Sequence, residues 1–273
     1  MSSSSLTGHA AVVTGASRGI GRAVAVHLAR RGAGVAGIAR PSQELDSLRE
    51  AAGPGPGRLL PLAADVASPA QVEAAFEAAV VSLGPPALVV ACAGTADALG
   101  PAWSADPDRW WDAVAVDLRG TMLTARSAIR RMLPAGAGRL VTIYGNLGDR
   151  QRGNVSAFAV AKAGIARLTE SLACELDGTG IKVFCVHPGL VRTPMTEQLA
   201  WGEQGRTWLP GFGDRAQQHW GDARAATALI EAIATGTADE LTGRVLLAGD
   251  DLDVLTRECQ ADPDRRRLRL GLD

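Results

Sequence analysis

Lysine and tyrosine are nearly absent from this chain of 273 residues. Tyr144 is the one tyrosine, and the lysines are Lys162 and Lys182, although lysine and arginine together number 28. A phenolic proton donor can therefore come only from Tyr144. Lys162 deserves notice because this arginine-rich composition disfavours a lysine by chance.

Cysteine is also sparse, and the four residues Cys92, Cys174, Cys185 and Cys259 lie far apart. None has the spacing of a metal site, so we expect no bound metal. Reduced thiols that mostly fill the core are typical of a cytoplasmic protein, which is the location we predict.

Strong charge and long apolar runs are missing as well. The net charge of -1 excludes a basic surface for nucleic acid. The apolar stretches are too short to span a membrane, so we expect no membrane partner. Residues 1–8 begin with a polar serine run that lacks the regions of a signal peptide, and we expect a disordered leader.

Strand and helix patterns alternate along the rest of the chain. The apolar, β-branched runs predict strands at 10–13, 35–39, 59–64, 87–91, 139–144, 182–186 and 245–247. The segments between them predict helices, including a long one that Asp106 caps and that runs from Pro107 to Leu133. This order predicts an α/β fold: a single Rossmann-type, doubly wound parallel sheet with helices on both faces, over residues 9–250.

Two segments leave alternatives open. Residues 196–221 are long, aromatic and irregular, which is typical of a lid over a substrate pocket or of a surface loop pinned by its tryptophans. Residues 251–273 form a C-terminal tail whose alternating end is either an edge strand or an arm onto a second subunit.

A glycine-rich turn joins the first strand to the first helix. In such a turn the backbone amides and the helix N-terminus meet a pyrophosphate. We expect its residues to contact a cofactor: Thr14, Gly15, Ser17, Arg18, Gly19, Ile20 and Gly21.

The spacing of Gly15, Gly19 and Gly21 resembles the short-chain dehydrogenase/reductase family, and other motifs follow in the family's order. Cofactor contacts implied by this resemblance lie at Asp65, Val66, Ala93, Gly94, Lys162, Pro188, Gly189, Val191 and Thr193. The resemblance implies a small-molecule substrate and a homodimer or homotetramer.

The second strand ends in Ala39-Arg40, where an NAD enzyme places an acid for the ribose hydroxyls. The planar donor fork of Arg40 suits a 2′-phosphate, and Arg18 offers a second cation. These residues predict NADP(H), unless both are solvated arginines of an arginine-rich chain.

The catalytic positions depart from the family. The resemblance places tyrosine at Phe158, serine at Gly145 and asparagine at Asp117, and retains Lys162. In the family, tyrosine delivers the proton, serine polarises the carbonyl, lysine holds the ribose and lowers the tyrosine pKa, and asparagine keeps a water. Three coordinated departures favour natural divergence over a single inactivating substitution.

Other groups near these positions are candidates for the missing roles. Tyr144 is next to the vacated serine position and either reaches the pocket or packs away from it. Asp117 either pairs with Lys162 or stands in for an asparagine of similar shape. Asn146, Asp149, Arg150 and His187 either line the pocket or have structural roles.

Several functions fit this site. The first is an NADP(H)-binding enzyme of small-molecule, specialised-metabolite biosynthesis with non-standard chemistry. It either transfers hydride to an iminium-like or activated carbon or performs a non-redox cyclisation, isomerisation or elimination. The second is a non-catalytic relative that binds NADP(H) or a metabolite. The third is an ordinary ketoreductase that uses Tyr144 as its acid.

Overall fold

The computed structural model describes residues 5–145 and 152–267. In this part of the chain seven parallel strands form a sheet in the order β3-β2-β1-β4-β5-β6-β7. The strands are Ala10–Thr14 (β1), Gly34–Ala39 (β2), Arg58–Ala63 (β3), Leu88–Ala91 (β4), Gly138–Ile143 (β5), Ile181–His187 (β6) and Val245–Leu247 (β7). The strand order reverses between β1 and β4, which opens a cleft at the carboxyl ends of these strands. The predicted fold class is confirmed.

Helices cover both faces of the sheet. They are Gly19–Arg30 (α1), Gln43–Asp46 (α2), Pro69–Leu83 (α3), Pro107–Val114 (α4), Gly120–Met132 (α5), Ser156–Glu175 (α6), Pro194–Trp201 (α7), Glu203–Trp208 (α8), Phe212–His219 (α9), Arg224–Ala234 (α10) and Leu252–Ala261 (α11). Short 3-10 turns follow α2 and α5 and precede β7, so the helix predicted at 44–51 ends early as an α-helix.

Neighbouring residues of a strand pack into different apolar cores, one on each face of the sheet. Val13 packs in the core shared with α1, α10 and α11, whereas Val12 packs in the core shared with α3 and α5. The same division separates Val141 from Leu140. Because successive strand side chains point to opposite faces, a sheet covered on both sides needs an unbroken apolar run.

The predicted long helix is interrupted by a wider turn. Asp106 caps α4 by accepting hydrogen bonds from the N–H groups of Asp108 and Arg109, and Pro107 is the first helical residue. Residues Ala115–Arg119 then form a π-helical turn before α5 begins. Such turns occur often at functional sites, and this one carries Asp117.

The segment 196–221 is helical, so its predicted irregularity is wrong. Thr193 caps α7 through a reciprocal capping box with Thr196, and Pro194 is the first helical residue. These are start signals that the sequence displays. Three short helices, α7 to α9, follow one another, and none is longer than eight residues, so a periodic apolar pattern repeats too few times in each to be detected.

Both ends of the described chain are packed against the domain. Leu6 is buried and its N–H donates to the carbonyl of Arg31, so the expected disorder does not extend to Leu6; residues 1–4 lie outside the described part. The tail begins with α11, and the Arg266 carbonyl accepts a hydrogen bond from Val245 N–H of β7. Residues 268–273, at the end of the expected edge strand or arm, lie outside the described residues.

Candidate functional site

The glycine turn lies against the loop that follows β4. Gly15 has a φ of +69°, and a Cβ atom there would lie 2.8 Å from Ala93 Cα. Only glycine allows both this left-handed backbone conformation and so close an approach to Ala93. The Thr14 hydroxyl accepts hydrogen bonds from Cys92 N–H at 3.0 Å and Ala93 N–H at 3.2 Å, which fixes the second loop to the first.

The N-terminus of α1 is suited to an anion. Arg18 precedes it in extended conformation, no side chain caps it, and its first turn, which begins with Gly19, Ile20 and Gly21, has no acidic residue. A Cβ atom at Gly21 would lie 2.4 Å from Gly15 O, so the turn closes tightly, while Ser17 is half-buried beside it. Uncapped N–H groups and the helix dipole together fit a phosphate group of a dinucleotide.

Two exposed arginines flank this turn. Arg18 and Arg40 form no ion pair within residues 5–145 and 152–267. Because β2 and β1 are neighbours, Arg40 follows the strand beside the glycine turn. The pair therefore offers positive charge near the cradle without a competing protein carboxylate bound to it.

The loop after β3 is held by its own hydrogen bonds. Asp65 Oδ1 accepts from Ala67 N–H at 2.9 Å, and Asp65 N–H donates to Gln71 Oε1 at 2.9 Å. Val66 is buried, and a Cβ atom at Gly120 would lie 2.7 Å from Val66 Cγ2. This packing fixes the β3 loop against the start of α5.

The loop after β6 reaches the glycine turn from the other side. A Cβ atom at Gly19 would lie 3.4 Å from Thr193 Cγ2. Pro188 and Val191 are buried, and Gly189 N–H donates to His187 Nδ1 at 3.1 Å. The structure therefore brings Thr193 to the same cleft as Gly15 and Ala93.

The two ends of the segment 194–220 lie side by side. Val191 forms a parallel bridge with Gly221, and Arg192 N–H donates to the Gly221 carbonyl at 3.1 Å. Leu199 and Leu209 of this segment share an apolar cluster with Ala96, Val155 and Phe158. The helical segment therefore packs against Phe158.

Phe158 fills the space beside Gly145. A Cβ atom at Gly145 would lie 3.2 Å from both Cε1 and Cζ of the Phe158 ring and 3.7 Å from Lys162 Cγ. Lys162 Nζ lies 5.2 Å from the centroid of the same ring. Phe158, Gly145 and Lys162 are therefore in mutual contact, and neither Phe158 nor Gly145 offers a hydroxyl.

Asp117 and Lys162 form a buried ion pair, one of the two arrangements expected from the sequence. Lys162 Nζ lies 3.4 Å from Asp117 Oδ2, and their side chains are 8% and 1% exposed. Nζ also donates to the Ile143 carbonyl at 3.2 Å, and Thr95 N–H donates to Asp117 Oδ1 at 2.6 Å. Burial raises the pKa of the Asp117 carboxyl, while Lys162 and the Thr95 N–H act in the opposite direction.

Gly94 connects this pair to the cradle, because a Cβ atom there would lie 3.2 Å from Asp117 Oδ1. The contacts therefore run without a break from Thr193 through the glycine turn and the β4 loop to Asp117, Lys162, Phe158 and Gly145.

Tyr144 is buried against α6. It packs with Ile165, Ala166 and Cys185, and its ring centroid lies 6.1 Å from that of His187. The structure thus places Tyr144 in a packed layer beneath the helix that carries Lys162. Asn146, Asp149 and Arg150 lie outside the described residues.

Sequence reasoning missed Thr95 and the apolar contact of residues 194–220 with Phe158. Thr95 acts through its backbone N–H, which leaves no signal in residue type. Leu199 lies in α7, which pattern analysis did not detect although the Thr193-Pro194 start predicts it, and Leu209 directly follows α8.

The expected absences concern metals and membranes. Among the described residues no group of three His, Cys, Asp or Glu side chains is arranged to hold a metal ion. No helix in that same part of the chain is both long and apolar enough to cross a bilayer.

Sequence comparisons place the chain among known proteins. The family model described as short chain dehydrogenase matches residues 9–204. A short-chain type dehydrogenase/reductase of Picea abies is 36% identical over 198 residues, which cover 70% of this chain and 73% of the relative. The 3-oxoacyl-acyl-carrier-protein reductase FabG of Escherichia coli is 33% identical over 244 residues, or 88% of this chain and 95% of the relative.

Structural comparison agrees. The crystal structure of levodione reductase superposes with a TM-score of 0.81 at 27% identity and covers 88% of this chain and 96% of that one. The sheet order, the matched motifs and these relatives point to one conclusion. The chain belongs to the short-chain dehydrogenase/reductase family of oxidoreductases, which bind a nicotinamide cofactor and act on small molecules.

Proposed function

We propose that this protein is an NADP(H)-dependent enzyme that reduces a carbon already carrying positive charge, such as the carbon of an iminium ion. The observation that carries the proposal is the contact between Phe158 and Gly145, two residues without a hydroxyl at the positions where the resemblance to the family places tyrosine and serine. The close contact of the glycine turn around Thr14 and Gly15 with the β4 loop supports the binding of a dinucleotide.

The missing hydroxyls matter differently for different acceptors. A ketone that receives hydride develops an alkoxide, which needs a proton and oxyanion stabilisation; these two effects contribute about 10² to 10⁴-fold and 10² to 10³-fold in rate. An iminium ion that receives hydride becomes a neutral amine, because the C=N⁺ electron pair moves to nitrogen. It needs neither donor, and bound NADPH would supply the hydride.

The preference for NADP(H) rests on Arg18 and Arg40. Both are exposed, and residue 40 is an arginine where an NAD enzyme has an acid. An NADPH-dependent aldehyde reductase-like protein of Arabidopsis thaliana is 34% identical over 203 residues, 70% of this chain and 75% of that one. The cofactor named for that relative supports the same choice here.

The role of each remaining residue follows from its position. Lys162 has three N–H groups, of which one donates to the Ile143 carbonyl and one faces Asp117; the third would bind a ribose hydroxyl. The lid residues Leu199 and Leu209 would exclude water from the acceptor. The proposed setting is specialised-metabolite biosynthesis, where an upstream step forms the iminium.

A second candidate is a protein that binds NADP(H) or a metabolite without turnover. It is favoured by the fact that the retained groups, the glycine turn and Lys162, all serve binding. A non-redox step on a bound substrate uses the same groups, with Asp117 as its acid or base. A ketoreductase dependent on Tyr144 is less favoured, because Tyr144 is 5% exposed among Ile165, Ala166 and Cys185.

We also propose a homodimer or homotetramer that pairs through α4, α5 and α6. These helices expose apolar side chains: Trp111 at 64%, Met122 at 39% and Val160 at 51%. Such a surface is typical of an interface. Light scattering after size exclusion measures the mass, and a monomer at micromolar concentration contradicts this proposal.

The function is tested by NADPH oxidation at 340 nm with a panel of cyclic imines and ketones, beside titration of NADPH and NADH by protein fluorescence. Oxidation by imines and not by ketones supports the proposal. Turnover of ketones at comparable rates contradicts it. Tight NADPH binding without turnover favours the non-catalytic or non-redox candidates, which product analysis with a pathway intermediate separates.

A further inference from the structure

The buried pair of Asp117 and Lys162 changes the charge of the site. Where the family has a neutral asparagine, this chain has a carboxylate 3.4 Å from the lysine ammonium. An ammonium with no counter-ion favours negative charge beside it, as on an alkoxide. A paired ammonium leaves the same space close to electroneutral.

Asp117 is held rigidly in this arrangement. Its Oδ1 accepts the Thr95 N–H at 2.6 Å, it sits in the π-helical turn, and Gly94 packs against its carboxyl group. Its Oδ2 is buried and receives no hydrogen bond from the described residues, so Lys162 is the cation that balances it. The negative charge therefore has a fixed position beneath the cleft and is poorly screened by water.

The face of the pair that looks toward the lid is aromatic. The Phe158 ring lies 5.2 Å from Lys162 Nζ, and ring faces attract cations. A site with a neutral ion pair and an aromatic face accepts a planar cation that a lone lysine would repel. Both an iminium acceptor and the oxidised nicotinamide ring are planar cations.

We infer that Asp117 is a specificity-determining residue that neutralises Lys162 and so sets the preference of the site for a positively charged ring. The inference rests on the proposed binding of NADP(H). The nicotinamide ring is a cation in NADP⁺ and neutral in NADPH. The difference between the affinities for these two forms therefore measures the preference of the site for a positively charged ring.

The experiment compares the affinities of NADP⁺ and NADPH for the wild-type protein, Asp117→Asn and Asp97→Asn. Asparagine keeps the size of Asp117 and its acceptor for Thr95 N–H. Asp97 is the matched control: it also interacts with Thr95, through Oγ1 at 2.6 Å, but it is exposed. Equilibrium titration by calorimetry or fluorescence gives both dissociation constants without any substrate.

The expected result is a selective loss. At an effective dielectric constant of about 20, a nearby fixed charge acts on a cationic ring but not on a neutral one, so Asp117→Asn weakens NADP⁺ relative to NADPH by at least about 5-fold. Asp97→Asn leaves the ratio within about 2-fold, because solvent screens an exposed charge. An unchanged ratio in Asp117→Asn, or an equal shift in both variants, overturns the inference.

Lys162→Met provides a second test if Asp117→Asn does not fold. Removal of the ammonium takes away the cation that lowers the pKa of the buried Asp117 carboxyl, so the carboxyl takes up a proton, the site stays close to electroneutral, and the ratio stays within about 2-fold of the wild-type ratio even as both affinities fall. A clear shift of the ratio toward NADP⁺ shows that Lys162 was an unbalanced cation and overturns the inference. Failure of the wild-type protein to bind either cofactor rejects the proposed function itself, which is a different result from binding with an unchanged ratio.

Discussion

The contact between Gly145 and Phe158 makes a sharp prediction about stability. Gly145→Ala adds a Cβ atom 3.2 Å from two carbons of the Phe158 ring, which is closer than comfortable carbon contact. The φ angle of Gly145 is not in the left-handed region, so the backbone itself tolerates alanine. The cost is therefore overpacking against the ring.

Overpacking of this kind destabilises a protein by about 1 to 3 kcal/mol. For a chain of this size each kcal/mol lowers the melting temperature by about 2 to 4 °C. Phe158→Leu removes the two carbons concerned, so in that background alanine at 145 costs at least about 1 kcal/mol less. Gly55→Ala is the matched control, since a Cβ atom there meets nothing within 4 Å.

Urea unfolding of the four members of this cycle, followed by tryptophan fluorescence and far-UV circular dichroism at one protein concentration, measures the coupling. An equal cost of Gly145→Ala in both backgrounds would refute the reasoning, because the ring would not then be what occupies the space. A cost at Gly55 as large as that at Gly145 would refute it as well.

Three further predictions follow from the same geometry. Arg40→Ala weakens NADPH by at least about 10-fold more than NADH, whereas Arg49→Ala on the exposed surface nearby does not; an equal loss for both cofactors would remove the assignment of Arg40. Phe158→Tyr combined with Gly145→Ser restores both hydroxyls and raises ketone reduction by about 10³-fold or more, and no gain in a folded, NADPH-binding variant would show that the pocket is shaped for another step. Maleimide at pH 8 labels the exposed Cys174 rapidly and the other three cysteines only on unfolding. Desolvation raises the thiol pKa to about 12 in Cys92 and to about 11 in Cys185, and Cys259 is buried. Rapid appearance of label on Cys92, detected by mass spectrometry, would contradict this prediction.

The fold and the cradle were predictable because they depend on local signals. Apolar strands buried on both faces, such as 12–13 and 140–141, leave unbroken hydrophobic runs in the sequence. Gly15 leaves a signal because its φ of +69° and its approach to Ala93 admit no other residue. Asp106 and Pro107 likewise marked the start of α4 within one residue.

Residues 194–220 and the tail were predicted less well. The helices α7 to α9 have at most eight residues each, so an apolar pattern repeats too few times in any of them to be recognised. The helix α11 was missed within the tail, although Asp251 caps it by accepting a hydrogen bond from Val254 N–H. For α7 and α11 a capping residue was the available signal, and hydrophobic periodicity was the wrong one to rely on.

The sequence by itself determined the order of the strands, the glycine turn, and the presence of Asp117, Gly145 and Phe158 at the positions where the resemblance to the family places asparagine, serine and tyrosine. It left open whether Asp117 pairs with Lys162 and where Tyr144 points. Only the tertiary structure decided these, because residues 117 and 162 lie on different helices and meet through packing of the π-helical turn on α6. The distance and the burial of this ion pair follow from that packing, which no local pattern in the sequence reveals.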